Sequence, residues 1–354
     1  MQVLITILEF LAVLAVVVLV HEFGHFATAK AFRIRVNEFG FGFPPKLLGF
    51  RKGETVYTLN LLPLGGFVKL EGENDPSQPR SLASKGVGTR FIVLVAGPFM
   101  NVVLPVLIFT ILFMVPQKMV VGDVVVNEVV PNSPAALAGI EPGDIIVRAN
   151  GRKIETNSDL AETIMLNLGS EMEWQVKAGP EVSSVRVVPR WNPPEGQGPT
   201  GVVIGTVNTR SVTRSEPLWE AVPHAFNKIG DVLVLMKNEV TSWIAHNKTP
   251  EVAGPIGIAQ ATGEVAREAG LAALIPLAAL FSISLAIFNI LPIPALDGGR
   301  LMFVILEWVR RGKRIPPEKE GLVHLVGFVV LIAGIVAISY RDIVRIVEDG
   351  SLLR

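Results

Sequence analysis

The sequence contains no cysteine, and its charges of opposite sign cancel. Without cysteine, the chain cannot have disulfide frameworks, thiol nucleophiles or cysteine-type zinc sites. With 32 basic and 32 acidic side chains, no overall electrostatic field favours nucleic acid, and we expect no nucleic-acid partner. Histidine is scarce as well. A metal site would have to use Asp, Glu or one of five histidines: His21, His25, His224, His246 and His324.

Long apolar segments dominate what is present. Half of the residues are hydrophobic and the mean hydropathy is +0.48, which is typical of a membrane protein. A membrane helix needs about 20 apolar residues. Four segments meet that length, at residues 3–20, 91–115, 271–291 and 322–340. The first of them runs on into the polar residues that follow it. The sequence thus predicts a polytopic α-helical membrane protein with about four transmembrane helices.

The first segment is interpreted as a span rather than as a cleaved signal peptide. It lacks a basic n-region and a small-residue cleavage site. Basic residues outnumber acidic ones by ten to five in residues 30–90 and by six to three in residues 300–320, whereas residues 116–270 carry thirteen basic and eighteen acidic residues. Since cytoplasmic loops are enriched in Lys and Arg, both termini and the connection after the second span are predicted to be extracytoplasmic.

That connection contains a small α/β module at residues 121–190. Residues 123–130 indicate a strand, Asn150-Gly151 a tight turn between two short strands, and Asn157 or Ser158 a helix cap before two closing strands. The run SPAALAGIEPGDIIVRANGRKI resembles a PDZ domain of the kind attached to bacterial proteases. Such a module could bind peptide carboxyl termini or could exclude substrates with bulky outer domains.

The remaining regions are assigned around these features. Residues 1–115 are predicted to form an N-terminal membrane core with spans at about 3–28 and 91–115 and a membrane-associated β-hairpin at 37–70. Residues 191–270 combine a Pro/Gly-rich linker with an amphipathic helix at 217–246, which lies near the membrane surface or packs as an ordinary helix. Residues 271–354 form a C-terminal membrane core with spans at 271–291 and 322–340.

The decisive motif is His21-Glu22-Phe23-Gly24-His25 at the end of the first span. The H-E-x-x-H spacing places two imidazoles one helical turn apart on the same face, which is typical of zinc ligands with a glutamate general base. Placing a charged group at membrane depth costs on the order of 2.5–3.5 kcal/mol, so charged and polar residues without a function are disfavoured at this position.

Catalytic zinc usually has three protein ligands and one open position, so a third ligand is needed. The residues leave two candidates, His324 near the fourth span and Asp297 in the segment NILPIPALDGG. Pro292 and Pro294 break the helix after the third span, and irregular backbone at membrane depth is tolerated where it lines a wet cavity. We therefore favour Asp297, although it could instead simply cap the next helix.

Together, these two ends of the chain resemble the site-two protease family of intramembrane zinc metalloproteases. His21-Glu22-x-x-His25 resembles the family's zinc motif, and Asn289 through Gly298 resembles its N-x-x-P-x-P-x-L-D-G motif. The resemblance extends to the PDZ-like insertion and to three further stretches. These stretches are GFGF at 40–43, LGGFVK at 64–69, and Ala96-Gly97-Pro98 with Asn101. Within the family, the chain resembles the bacterial branch whose members have one extracytoplasmic PDZ domain.

The resemblance implies one Zn²⁺ per chain, held by His21, His25 and Asp297. It implies that Glu22 acts as the general base and that Asn289 hydrogen-bonds the substrate carbonyl or oxyanion, or merely caps a helix. Substrates would be single-span membrane proteins, such as anti-sigma factors, or remnant signal peptides in the lipid bilayer of a bacterial cytoplasmic membrane.

An intramembrane protease must also hold its substrate extended. Residues 54–70 are predicted to form two strands around Pro63 and Gly65-Gly66, and an exposed edge there could pair with substrate, unless the segment is simply a packed hairpin. Substrate contacts are accordingly predicted in this hairpin and in the PDZ-like module. The residues are Gly65, Gly66, Phe67, Val121, Gly122 and Val124.

Two other functions compete with proteolysis. A non-catalytic scaffold could carry structural zinc and recruit partners through the PDZ-like module, but a structural site has no need of Glu22. A metal transporter would need a second polar relay across the membrane. The sequence shows none beyond Glu9.

Overall fold

The computed structural model describes residues 2–73, 75–246 and 253–349. The chain divides into two compact units, one formed by residues 1–109 with 252–354 and the other by residues 110–251. In chain order the elements are α1 (Gln2–Ala31), β1 (Val36–Lys52), β2 (Thr55–Leu70), α2 (Val87–Met114), β3 (Gln117–Val129), α3 (Pro134–Leu137), β4 (Ile145–Ala149), β5 (Arg152–Lys153), α4 (Asn157–Leu166), β6 (Met172–Ala178), β7 (Glu181–Val187), β8 (Val202–Arg214), α5 (Leu218–Ala245), α6 (Pro255–Ala269), α7 (Leu274–Ile290), α8 (Asp297–Val309) and α9 (Pro317–Asp349).

Within the described residues, four helices are long and apolar enough to cross a membrane, as the sequence predicts. Two of them begin earlier than predicted: α2 begins at Val87 rather than at 91, and α9 begins at Pro317 rather than at 322. Proline suits the first turn of a helix, where its missing N–H has no intrahelical partner, so α9 can begin there. The candidate spans are Gln2–Ala31, Val87–Met114, Leu271–Ile290 and Pro317–Glu348.

The predicted hairpin differs from the structure in which segments pair. Residues 55–70 form the single strand β2, and its partner is the preceding strand β1 rather than a strand on the other side of Pro63. The chain reverses at residues 53–54, where Gly53 has φ of 61° and Lys52 pairs with Thr55. The chain also reverses between Leu59 and Gly66, as predicted, because residues 56–59 run in the same direction as 38–41 whereas residues 66–70 run in the opposite direction to 36–41.

Both strands are long enough to bend and pair twice. Phe39 pairs with Val68 on one side and with Tyr57 on the other, so segment 36–41 lies between 66–70 and 55–59. The aromatic ring of Phe26, on α1, packs edge-on against the rings of Phe39 and Tyr57. This contact places the sheet against the half of α1 that carries the H-E-x-x-H motif.

The second unit contains a six-stranded sheet with the order β7-β6-β4-β3-β8, and β5 also pairs with β4. Its core includes Ile146, Leu160 and Trp174, all fully buried. Asn150 and Gly151 both have positive φ, as a two-residue hairpin turn requires, which confirms the predicted turn.

This sheet reaches further along the chain than predicted. β8 pairs with β3 from Gln117↔Arg214 to Val129↔Val202, although residues 202–214 fall in the predicted linker and helix region. The alternation of apolar and polar residues in VVIGTVNTR is weak, because β8 is at the edge of the sheet and largely exposed. The PDZ assignment of residues 121–190 stays a prediction.

The helices of this unit also differ in detail from the sequence analysis. Thr156, rather than Asn157 or Ser158, caps α4 in a capping box with Asp159. Helix α5 packs against α4, where Asn238 donates to the carbonyl of Met165 at 2.9 Å. A second contact joins Lys228 to Glu162 at 2.8 Å. These are the contacts of a packing helix.

We predict that Thr156→Ala destabilises the start of α4 by about 1 kcal/mol, because the hydrogen bond from Asp159 N–H to the Thr156 hydroxyl is lost. Amide hydrogen exchange of residues 157–166 in the purified protein would be faster by roughly fivefold. Ser158→Ala is the matched control and should leave exchange unchanged, since Ser158 is exposed on the same turn. Equal effects of the two substitutions would contradict the observed cap.

Candidate metal centre

Helix α1 brings His21 and His25 together one turn apart. Both side chains are buried, and their Nε2 atoms are 3.2 Å apart. The helix continues through the motif because residues 2–31 contain no proline. In addition, no charged residue precedes Glu9 in this helix. It ends at Arg33, which has φ of 56°, with Ile34 N–H donating to Ala29 O.

The third side chain comes from the opposite end of the chain. Asp297 is the first residue of α8, and its Oδ2 lies 2.9 Å from His21 Nε2 and 3.1 Å from His25 Nε2. The chain turns sharply between α7 and α8, so tightly that a Cβ on Gly298 would be 2.0 Å from Leu291 O. Glycine at this position allows the turn, and the turn aims Asp297 at α1.

These three side chains fit a zinc ion. Their ligand atoms all lie within 4.8 Å of one another. In a tetrahedral site with bonds of about 2.0–2.1 Å, ligand atoms are separated by about 3.3 Å, close to the observed 2.9–3.2 Å. Two imidazoles and a carboxylate are the ligand types that zinc accepts, and they leave a fourth position open.

The electrostatics of the site favour an ionised carboxylate. Burial raises the pKa of Asp297, and the neighbouring His25 and His21 lower it by more, so that the pKa lies well below its usual range. An ionised Asp297 has the lone pairs that a metal ligand needs.

Helix α2 orients both imidazoles. His25 Nδ1 donates to the backbone carbonyl of Val93 at 2.7 Å, which leaves Nε2 free as a metal ligand. His21 Nδ1 lies 3.2 Å from the amide nitrogen of Asn101, whose Oδ1 is buried without a partner among the described residues. Exchanging the two amide atoms of Asn101 makes Oδ1 the acceptor for His21 Nδ1–H, and this hydrogen bond leaves Nε2 of His21 able to bind a metal.

Gly97 of α2 makes room for this arrangement. A Cβ at this position would lie 2.3 Å from His25 Nε2 and 2.7 Å from His21 Nε2. A Cβ on Gly24 of α1 would lie 2.2 Å from Ala96 O, so the two helices also touch through backbone. The space in front of the ligand atoms therefore exists only while residue 97 has no side chain.

Glu22 lines a cavity of about 250 Å³ together with His25 and Asp297. Its carboxylate accepts a hydrogen bond from the backbone amide of Val68, on β2. Phe67 lines the same cavity, and a Cβ on Gly66 would be 3.1 Å from Glu22 Cγ. The structure thus brings the predicted base and part of the predicted substrate hairpin to the ligand set.

The other predicted site residues lie elsewhere. Asn289 is buried in the last turn of α7, and no side-chain hydrogen bond described for this part of the chain involves it. Val121, Gly122 and Val124 belong to β3 of the other unit, where the two valines are buried and the strand is paired with β8. Gly65 is in β2 with φ of 144°. The roles of these residues stay predictions.

Several contributors to the site were not assigned from sequence. Val93 acts through its backbone carbonyl, which no side-chain pattern can reveal. Gly97 and Asn101 stand in a stretch that carries the family resemblance, but the motif alone gave them no role. Arg300 lines the cavity and pairs with Glu73 at 2.8 Å, joining α8 to the loop after β2.

Comparison with known proteins agrees with this geometry. Residues 9–334 match peptidase family M50. The chain belongs to peptidase family M50. It is 37% identical over 332 residues to a protein of Clostridium perfringens named as a zinc metalloprotease, which covers 92% of this chain and 95% of the relative.

Two relatives carry the name RasP. The zinc metalloprotease RasP of Geobacillus kaustophilus is 28% identical over 418 residues, covering 96% of this chain and 97% of the relative. The regulator of sigma-W protease RasP of Bacillus subtilis is 28% identical over 425 residues, covering 96% and 99%. This M50 member is a zinc metalloendopeptidase, and its four apolar helices make it a membrane protein.

We predict that Gly97→Ala abolishes tight zinc binding, because the added methyl group would occupy the position of the imidazole nitrogens. Zinc content of the purified protein, measured by atomic emission, would fall from about one per chain to well below that. Gly88→Ala in the same helix is the matched control, since a Cβ there would meet nothing within 4 Å. Full zinc content in Gly97→Ala would contradict the described packing.

We also predict that Asn101→Leu weakens zinc binding by roughly 10–100-fold, since the partner of His21 Nδ1 is lost while the side-chain size is kept. Competition with a chromophoric chelator measures the dissociation constant. An unchanged constant would mean that the Asn101 amide does not orient His21.

Proposed function

We propose that this M50 member is an intramembrane protease in which His21, His25 and Asp297 hold the zinc ion. The observation that carries the proposal is the convergence of Asp297 Oδ2 on two Nε2 atoms of a helix able to span a membrane. When bound, zinc supplies Lewis-acid chemistry, since it lowers the pKa of water in its open position and polarises a carbonyl.

Glu22 is proposed as the general base. It follows His21 directly and lines the cavity shared with His25 and Asp297. Its carboxylate would take a proton from the attacking water and deliver it to the leaving amide nitrogen. Its carboxylate also accepts a hydrogen bond from the backbone amide of Val68, which lines the same cavity.

The free edge of β2 is proposed to hold the substrate. Segment 66–70 pairs with β1 on one side, and within the described residues no strand pairs with its other side. Phe67 and Val68 line the cavity beside Glu22. An extended peptide that pairs with this edge would have its backbone drawn out of a helix, and a helical peptide bond is otherwise shielded by its own hydrogen bonds. Gly65, Gly66 and Phe67 would contact it.

Asn289 is proposed to stabilise the substrate carbonyl. It stands eight residues before Asp297, at the end of the span that leads into the ligand loop. A neutral amide donor in a buried site would favour the charge that develops on the carbonyl oxygen.

Single-span membrane proteins are the proposed substrates, either regulatory proteins such as anti-sigma factors or remnant signal peptides. The name of the Bacillus subtilis relative, regulator of sigma-W protease, supports a regulatory substrate. The excess of basic residues in 30–90 and 300–320 supports extracytoplasmic termini in a bacterial cytoplasmic membrane. Residues 121–190 would then form an extracytoplasmic PDZ-like domain, in which Val121, Gly122 and Val124 contact peptide carboxyl termini.

We predict that Glu22→Gln lowers the cleavage rate by at least 10²-fold while zinc remains bound, because the amide keeps the shape of the carboxylate but cannot take a proton. The assay combines cleavage of tagged single-span proteins with zinc quantification. Glu9→Gln on the same helix is the matched control and should cut normally. Cleavage by Glu22→Gln at the wild-type rate would rule out Glu22 as the base.

A further inference from the structure

The loop that precedes Asp297 has a backbone conformation that Ala295 would not adopt by itself. Ala295 has φ of 75°, in the left-handed region that residues with a Cβ rarely occupy. Such a conformation persists only where the surrounding structure holds it. The residue is two positions before Asp297, so whatever holds Ala295 also influences the direction of the carboxylate.

The group that holds Ala295 is His324 of α9. The backbone N–H of Ala295 donates to His324 Nδ1 at 2.8 Å. An imidazole can accept at Nδ1 only when its proton is on Nε2. In the described part of the chain His324 Nε2 has no hydrogen-bond partner, so the contact with the loop is the hydrogen bond that orients this ring.

Two further contacts involve the same face of α9, one with the loop and one with α8. A Cβ on Gly327, three residues after His324, would lie 2.3 Å from Pro294 Cβ. Residues three apart share a helix face, so the loop rests on one side of α9. The ring of His324 also lies 5.6 Å from the ring of Phe303, on α8. His324 therefore touches the loop before Asp297 and the helix that Asp297 opens.

Helix α9 has little other packing near this point. None of the residues in its most apolar 18-residue window is buried. Further along, Asp342 accepts hydrogen bonds from the backbone N–H groups of Gly254 and Gly257, at the start of α6. The contact at His324 is thus a specific attachment near one end of a helix whose other described attachment is at Asp342.

We infer that His324 is a positioning residue for the zinc site, which fixes the Ala295 backbone and so holds Asp297 Oδ2 at the two imidazole nitrogens. The inference rests on the proposed role of Asp297 as a zinc ligand. It also gives the second candidate from the sequence analysis a role other than that of ligand. The fourth span contributes to the site through this one imidazole.

The test compares zinc affinity in full-length, detergent-purified variants, so it needs no substrate. His324→Leu removes the acceptor and keeps an apolar side chain of similar size. We expect its zinc dissociation constant to rise by roughly 10–100-fold, as for other groups that orient metal ligands, and the visible spectrum of the cobalt-loaded protein to change. Val330→Ala, on an exposed part of α9, is the control and should match wild type.

His324→Asn distinguishes a hydrogen bond from simple packing. Its Oδ1 can occupy the position of Nδ1 and accept from Ala295 N–H, so we expect affinity within about threefold of wild type. Wild-type affinity and spectrum in His324→Leu would overturn the inference. So would a His324→Asn variant as weak as His324→Leu, because the hydrogen bond would then have no effect.

Two further variants keep the outcome decisive. If His324→Leu does not fold, His324→Asn is compared with His324→Gln, whose oxygen is one carbon further from the helix; equal affinities would overturn the inference. Asp297→Ala tests the ligand set separately. Unchanged zinc affinity in Asp297→Ala would refute the proposed ligand, whereas a large loss there with no effect at His324 would refute only the positioning role.

Discussion

The convergence of one carboxylate oxygen on two imidazole nitrogens is the constraint on which the rest of the membrane-embedded unit depends. Buried polar groups are costly unless each has a partner, and here the three side chains approach one another to 2.9–3.2 Å. A zinc ion satisfies all three at once. The helices that carry them must therefore be placed to within a few tenths of an ångström.

Backbone contacts supply that precision. Gly24 and Gly97 let α1 and α2 approach closely, and Gly298 lets α8 begin directly against the end of α7. Small residues are the usual means of bringing helices together in lipid, where apolar side chains gain little by leaving the tails. Each of these glycines borders the ligand set. The close helix packing that they allow therefore also sets the distances between the ligand atoms.

The sequence was most informative where a function needs particular residue types at fixed spacing. The H-E-x-x-H motif, the four apolar segments and the Asn150-Gly151 turn could each be read directly, because periodicity and local chemistry determine them. It did not reveal the strand pairing around Gly65-Gly66, where the chain reverses as predicted but its two halves, 55–59 and 66–70, lie on opposite sides of segment 36–41 instead of pairing with each other. Local signals could not reveal β8 either, because an exposed edge strand lacks strong alternation and is defined by its partner β3.

The sequence by itself determined the class of protein and predicted the roles of His21, Glu22, His25 and Asp297. The H-E-x-x-H assignment follows from ligand chemistry and from a helix period, whereas the role of Asp297 is implied by the family resemblance. Only the tertiary structure decided which groups complete the site: the Val93 carbonyl, the Asn101 amide, the space at Gly97 and the contact of His324 with Ala295. The physical reason is distance along the chain. Residues 21, 97, 297 and 324 meet only when four helices pack, and no local pattern encodes that meeting.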